Sequence, residues 1–222
     1  MKQLVIFDLD GTLLNTIADL GEATNHALKQ CGYPQHALDS YKMMVGNGIG
    51  KLLERAMPDY ARTPGNVAKL RACFTDYYDR HNTDLTVPYQ GIPELLDKLN
   101  DMGVKLAVAS NKYQCAVTKL ITHYFPHLPW VAIHGNRDCI PTKPDPSIVF
   151  NILGSVPTPK TDVLYVGDSG VDMETARRAC IESAGVTWGF RPESELIEHH
   201  AEHIVHEPIE LLELIKRPLQ QD

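Results

Sequence analysis

Four apolar residues near the start of the chain, Leu4, Val5, Ile6 and Phe7, are closed off by Asp8, Asp10 and Gly11. A short apolar run ending in acidic and glycine residues predicts a buried parallel strand that opens into a tight loop. The two carboxylates then stand where a central strand ends, which is where open α/β sheets carry their chemistry. Taken alone, Asp8 and Asp10 read as turn formers, with Thr12 as a helix cap. The polar residues further down the chain decide between the two readings.

Residues 16–84 read as helical throughout. Thr16 is placed to cap a helix reaching residue 30, where Gly32 and Pro34 end it. Helices are expected over 38–45, over 49–57 after the break at Gly46-Asn47-Gly48, and over 67–81, with Phe74, Tyr77 and Tyr78 on one side as core. From residue 91 the pattern changes to alternating helix and strand. Strands are expected at 105–109, 130–134, 163–166, 182–186 and 203–205, with helices between them. This order predicts an α/β fold with a doubly wound parallel sheet, because right-handed crossovers place helices on both faces. The expected division is a core of residues 1–15 and 85–222 with an inserted all-helical cap, residues 16–84. Hinges are expected near 15–16 and 83–87.

The chain has 222 residues and a net charge of −7, which argues against nucleic acid as a partner. No apolar run approaches the ~20 residues that span a bilayer, and a strand begins almost at once, so neither a membrane nor a signal peptide is expected. Cys31, Cys73, Cys115, Cys139 and Cys180 are scattered and without paired spacing, consistent with reduced thiols in the cytoplasm. The chain is expected to be a monomer or a homodimer.

Three strand ends carry polar groups: Asp8 and Asp10 on the first, Ser110 and Asn111 on the second, Asp168 on the fourth, with Asp172 one helical turn on. Lys143 lies in the loop before Ser147. In a parallel sheet the C-terminal ends share one edge, so these side chains can converge. Singly, each has a plainer role. Ser110, Asn111, Asp168 and Asp172 could cap helices, and Lys143 could be a solvated lysine.

Jointly they form a pattern. FDLDGTLLNT, a strand ending in SN, then KPDP and VGDSGVDM resemble the four motifs of the haloacid dehalogenase superfamily of aspartate-dependent phosphatases. The resemblance spans nearly the whole chain. The segments MVGNGIGKLLERAM and GVTWGFRPESEL are similar to those of the phosphoglycolate phosphatase subgroup. Two departures stand out. Cys180 occupies a position where relatives usually have Gly, with an expected effect on packing behind the fourth motif. Asn15, often Asp in relatives, lies outside the catalytic set.

A phosphate monoester is mostly dianionic at pH 7. A carboxylate ~4 Å from it meets a repulsion of roughly 8 kcal/mol at an effective dielectric of 20. A cation and an ammonium group must offset that. Clustered oxygens without His or Cys select a hard ion, Mg²⁺. Asp8 is then suited to attack phosphorus, and Asp10 to protonate the leaving oxygen and later deprotonate water. The resemblance implies Mg²⁺ held by Asp8, the Asp10 backbone carbonyl and Asp168, with Asp172 behind them, and Ser110, Asn111 and Lys143 on the phosphoryl group. The implied substrate is a small phosphorylated metabolite, foremost 2-phosphoglycolate. Gly46, Asn47 and Gly48 could offer backbone N–H groups to a second anionic group, with Lys42, Lys51 and Arg55 as charge partners. The same residues also read as an ordinary helix–turn–helix.

A sugar-phosphate mutase and a pyrophosphatase share the core and remain open. Dehalogenase chemistry fits poorly with Asp10, Gly11 and an acidic fourth motif. A phospho-Asp signalling receiver fits poorly with an acceptor on the first strand. His199 and His203, i and i+4, could bind zinc but lack a third ligand and read as solvated surface.

Overall fold

The computed structural model describes residues 1–138 and 140–217. Cys139 lies outside them. Six strands form one parallel sheet. They are β1 (Leu4–Phe7), β4 (Lys105–Tyr113), β5 (Ala132–Asn136), β6 (Val163–Gly167), β7 (Glu182–Val186) and β8 (His203–Val205). Their order across the sheet is β5-β4-β1-β6-β7-β8. The first strand lies between β4 and β6, with Leu4 opposite both Lys105 and Val163. Successive crossovers leave β1 in opposite directions, so its C-terminal end is a topological switch point, where ligands of such sheets bind.

Alternation along the strands divides the core. Val5, Phe7, Leu106, Val108, Leu164 and Val166 face one side, where α4 (Ile92–Asp101), α5 (Gln114–Tyr124) and α9 (Glu210–Lys216) add Leu95, Leu96, Val117, Leu211 and others. Leu4, Ile6, Ala107, Ala109 and Tyr165 face the other, under α6 (Ser147–Ser155) and α7 (Gly170–Ala179). Both faces are buried, so the strands read as continuous apolar runs.

The helices between residues 16 and 84 have a cluster of their own. It joins α1 (Ile17–Gln30), a 3-10 helix (Leu38–Met43), α2 (Gly48–Ala56) and α3 (Pro64–His81) through Leu20, Leu28, Tyr41, Leu52, Leu53, Leu70, Phe74 and Tyr78. Ala116 and Phe190 reach it from the sheet side. Cys31 and Cys73 meet at its edge, where burial, with Cys73 beside it, pushes the Cys31 thiol up.

Several boundaries differ from the sequence expectation. The chain turn at 38–45 is a six-residue 3-10 helix, not an α-helix. The strand expected at 105–109 continues to Tyr113, because its polar end still pairs with β5 at Asn136. The strand expected at 130–134 starts at Ala132, because the Trp130 N–H is taken up by Leu128 O at 3.0 Å in the preceding turn. A two-stranded antiparallel ladder, β2 (Leu14–Asn15) with β3 (Val87–Pro88), was not foreseen. It sits where the chain leaves the sheet and where it returns. The buried Asp19 carboxylate braces the return segment, accepting from the Leu85 and Thr86 backbone N–H groups at 2.8–3.1 Å and from the Thr86 hydroxyl at 2.7 Å. His199 follows α8 (Glu193–Glu198), whereas His203 is on β8 and meets Glu182 at 2.6 Å, so the i, i+4 pair shares no helix.

The departure at Cys180 has a backbone cause rather than a packing one. The residue is exposed and closes α7 in the left-handed conformation, φ 55° and ψ 48°. A side chain there costs roughly 1–2 kcal/mol. Cys180→Gly is therefore expected to raise unfolding stability by about 1 kcal/mol, after the entropy that Gly loses on folding is deducted. Urea unfolding of the two proteins measures it, and an unchanged or lower midpoint contradicts it.

Candidate active site

The loop after β1 carries Asp8, Asp10 and Gly11 to the sheet edge. Gly11 has φ +86°, and a Cβ there would sit 2.2 Å from Asp168 Oδ2, so only glycine lets the first loop approach the Asp168 carboxylate. Asp168 follows β6. Its Oδ2 accepts from the Phe190 N–H at 2.7 Å, and Thr12 Oγ1 approaches Oδ1 at 3.4 Å. Asp172 sits in the first turn of α7 and forms a reciprocal cap with Ser169: its Oδ2 accepts from the Ser169 hydroxyl at 2.6 Å and the Ser169 N–H at 3.2 Å. One oxygen from each of Asp8, Asp168 and Asp172 lies within 4.8 Å of the others, and all three residues are buried.

Lys143 reaches this cluster from the loop before α6. Its ammonium donates to Asp172 Oδ1 at 2.7 Å, Ala109 O at 2.9 Å and Tyr165 Oη at 3.1 Å. Three donors are thereby used. Asp8 Oδ1, buried, lies 3.0 Å from the same nitrogen as an ion pair and has no other polar partner among the described residues. Burial pushes the Asp8 carboxyl up to about 7; Lys143 pulls it back in part, and Asp172 and Asp10 add to the rise. Burial also drives Asp168 well above the usual carboxylate range, with Asp172 and Asp8 contributing. Burial alone would lower Lys143, but the Asp172 and Asp8 charges override it and hold the ammonium well above its ordinary value. Three crowded carboxylates with only oxygen donors, and one oxygen with no polar partner but the ammonium, suit a hard divalent cation.

Ser110 and Asn111 lie near the end of β4, in the wall of the cleft beside Asp8 and Asp10. The Asn111 amide is engaged on two sides. It donates to Gly46 O at 2.9 Å and Lys143 O at 3.1 Å, and accepts from the Lys143 N–H at 2.8 Å. It therefore ties the lysine loop to the loop before α2. Asp10 is held by the Thr16 hydroxyl at 2.6 Å and by Lys112 Nζ at 2.9 and 3.0 Å.

The cleft opens between these residues and the helical insert. Its far wall comprises Leu20, Val45, Gly46, Gly48, Ile49, Leu52, Phe74 and Tyr78. Phe74 and Tyr78 thus belong to the insert's core and to the cleft wall at once. The cations expected to serve a second anionic group are elsewhere. Lys42 pairs with Asp39, Lys51 with Glu54, and Arg55 donates to Met44 O and to Asn47 Oδ1. None of the three, nor Asn47, lines this cleft. Three partners were missed in the sequence: Lys112, Tyr165 and Phe190. Lys112 immediately follows the Ser-Asn pair, and Tyr165 interrupts an otherwise apolar strand, so both left a trace; the Phe190 backbone donor left none.

The fold and the site define a class. Residues 5–186 match the family model of the haloacid dehalogenase-like hydrolases, and the chain belongs to that family. Named relatives narrow this. Phosphoglycolate phosphatase from Pseudomonas savastanoi is 30% identical, over 92% of this chain and 76% of its own. The enzyme of that name from Cereibacter sphaeroides is 33% identical, over 89% and 94%. A crystal structure from Lactobacillus delbrueckii subsp. bulgaricus aligns with a TM-score of 0.91 and 32% identity, over 100% of both chains. The protein is a phosphatase of this family. No helix among the described residues is long and apolar enough to cross a membrane.

Lys143→Met leaves two buried carboxylates without their cation and is expected to cost roughly 3–5 kcal/mol. Guanidinium unfolding in metal-free buffer measures the loss, and a cost below about 1 kcal/mol contradicts the ion-pair geometry.

Proposed function

We propose that the chain is a Mg²⁺-dependent phosphatase of small phosphate monoesters, foremost 2-phosphoglycolate, working through an aspartyl-phosphate. The observation that carries this is the Asp8 carboxylate oxygen, buried, 3.0 Å from the Lys143 ammonium and, among the described residues, without any other polar partner. An oxygen so placed is oriented and charge-compensated without being shielded from an incoming phosphorus.

Asp8, the Asp10 carbonyl and Asp168 would hold Mg²⁺, with Asp172 behind them. When bound, the ion withdraws charge from the phosphoryl oxygens and from Asp8. Ser110 and the Asn111 backbone bind the phosphoryl oxygens, and Lys143 holds their charge beside Asp8. In the first step an Asp8 oxygen forms a bond to phosphorus while the bond to the leaving oxygen breaks, and Asp10 gives that oxygen its proton. In the second, water attacks phosphorus and Asp10 takes its proton. The Asp8–phosphorus bond breaks, releasing phosphate and restoring both carboxyls. Thr16 and Lys112 orient Asp10 for both transfers. Residues 16–84 serve as a cap that covers the cleft and excludes water during the first step. The relatives named phosphoglycolate phosphatase support the choice of substrate.

Asp8→Asn is expected to lower phosphate release from 2-phosphoglycolate by at least about 10⁴-fold while the circular dichroism spectrum is kept. Retained turnover assigns the nucleophile elsewhere. Pyrophosphate and β-glucose 1-phosphate, run beside it with Mg²⁺, separate a pyrophosphatase or mutase from the proposed activity. Mg²⁺ at about 100 times its dissociation constant is expected to stabilise the unaltered chain by about 2.7 kcal/mol. No rise in melting temperature with Mg²⁺, in the absence of any substrate, counts against the ion site.

A further inference from the structure

The cleft holds one basic side chain, Lys112, and one hydroxyl without a partner, Tyr78. Lys112 is 7% exposed and Tyr78 0%, so neither is positioned by solvent. Two of the three Lys112 N–H donors go to the Asp10 carboxylate at 2.9 and 3.0 Å. Among the described residues the third meets no acceptor, only the Tyr78 ring, whose centre is 4.9 Å away. A buried hydroxyl left unpaired costs on the order of 1–3 kcal/mol. Two unspent donors, one cationic, in the wall of one cleft call for an acceptor that the chain does not supply.

From this we propose that Lys112 and Tyr78 form the subsite for the substrate's second anionic group, a carboxylate, and so set the preference for phosphorylated acids. Of the residues expected to hold that group, Gly46 and Gly48 line the cleft, while Asn47 and the cations Lys42, Lys51 and Arg55 do not. The proposal rests on the phosphatase reading above, with the phosphoryl group at Ser110. Lys112 is two residues past Ser110 at the polar end of β4, where the pairing with β5 shifts register, and both residues line the cleft. Two groups this close in the chain, in one cleft wall, suit a short acid with phosphate at one end and carboxylate at the other. The carboxylate takes the third Lys112 donor, so Asp10 keeps its own two. Tyr78, whose ring lies beside the Lys112 ammonium, supplies the second donor through its unpartnered hydroxyl. Leu20, Val45, Ile49, Leu52 and Phe74 add an apolar stretch of wall with no side-chain partner for a polyhydroxylated tail. Asp8 and Asp10 both line the cleft; Asp10, the one that Lys112 touches, has its charge offset by it, and Asp8 is paired with Lys143.

The test compares two esters with the same two-carbon chain, 2-phosphoglycolate and ethyl phosphate, on the full chain with Mg²⁺. The unaltered chain is expected to favour phosphoglycolate. In Lys112→Met the ratio of the two kcat/KM values is expected to fall about tenfold or more, the range of one buried charge-assisted hydrogen bond. Lys112→Arg should recover most of the ratio. Tyr78→Phe, which leaves the Asp10 contact intact, should lower it severalfold through KM. A binding readout accompanies these: calorimetry of 2-phosphoglycolate on the Asp8→Asn chain, where the Lys112→Met change should weaken binding by a similar factor. An unchanged ratio, or an equal fall for both esters, overturns the proposal, the second showing that Lys112 acts only through Asp10. A chain with no preference between the esters overturns it as well. If the unaltered chain releases phosphate from neither ester, the phosphatase reading fails first and the subsite with it.

Discussion

One buried ammonium organises the site. Lys143 lies at hydrogen-bonding range of Asp172 and at ion-pair range of Asp8, with a strand carbonyl and a tyrosine hydroxyl completing its surroundings. Without it, carboxylates from two different strand ends would repel one another in a medium that screens poorly. The loop that carries Lys143 is itself clamped by Asn111, which also grips the loop before α2. Charge balance, loop position and contact with the helical insert are therefore mechanically linked through one amide.

The sheet order does the rest. Because β1 sits between β4 and β6, the residues following each strand reach a common edge without any long excursion. The segment after β7 closes the ring from behind. Gly189 packs so tightly on Asp168 that a Cβ would fall 2.3 Å from the Asp168 Cβ. The adjoining Phe190 N–H holds that carboxylate, while the Trp188 indole donates to Thr12 O at 3.0 Å and Arg191 donates to Val45 O at 2.6 Å. A single loop thus touches the acidic cluster, the first loop and the insert.

Much of this was legible in the sequence. Residues 4–7 read as a central strand because apolar content on both faces leaves no alternation. Asp8, Asp168, Asp172 and Lys143 read as one group because parallel strands share an edge, and the structure does bring those four together. Other features were hidden for physical reasons. The ladder of Leu14–Asn15 with Val87–Pro88 joins segments far apart in the chain, and two residues give no periodicity. The polar end of β4 looks like a loop because strand signals are apolar, yet hydrogen bonding to β5 extends it. The cations near Gly46 were credited to the cleft by proximity in sequence, whereas neighbouring acids and carbonyls had already engaged them. Lys112 was passed over because one lysine after a polar pair resembles any surface lysine until its burial is seen.

The paired crossing of β2 and β3, braced by Asp19, has a consequence for how such a chain can diversify. Departure and return occur side by side, so the backbone leaves and rejoins the sheet at two adjacent points, and the further ties to the insert are single hydrogen bonds such as Asn111 to Gly46 O and Arg191 to Val45 O. The entropy of closing that excursion grows only slowly with its length. Helices of the insert other than the Gly46 loop that Asn111 grips can be lengthened, shortened or exchanged with little effect on the carboxylates beneath, and new selectivity can be grafted onto an unaltered reaction centre.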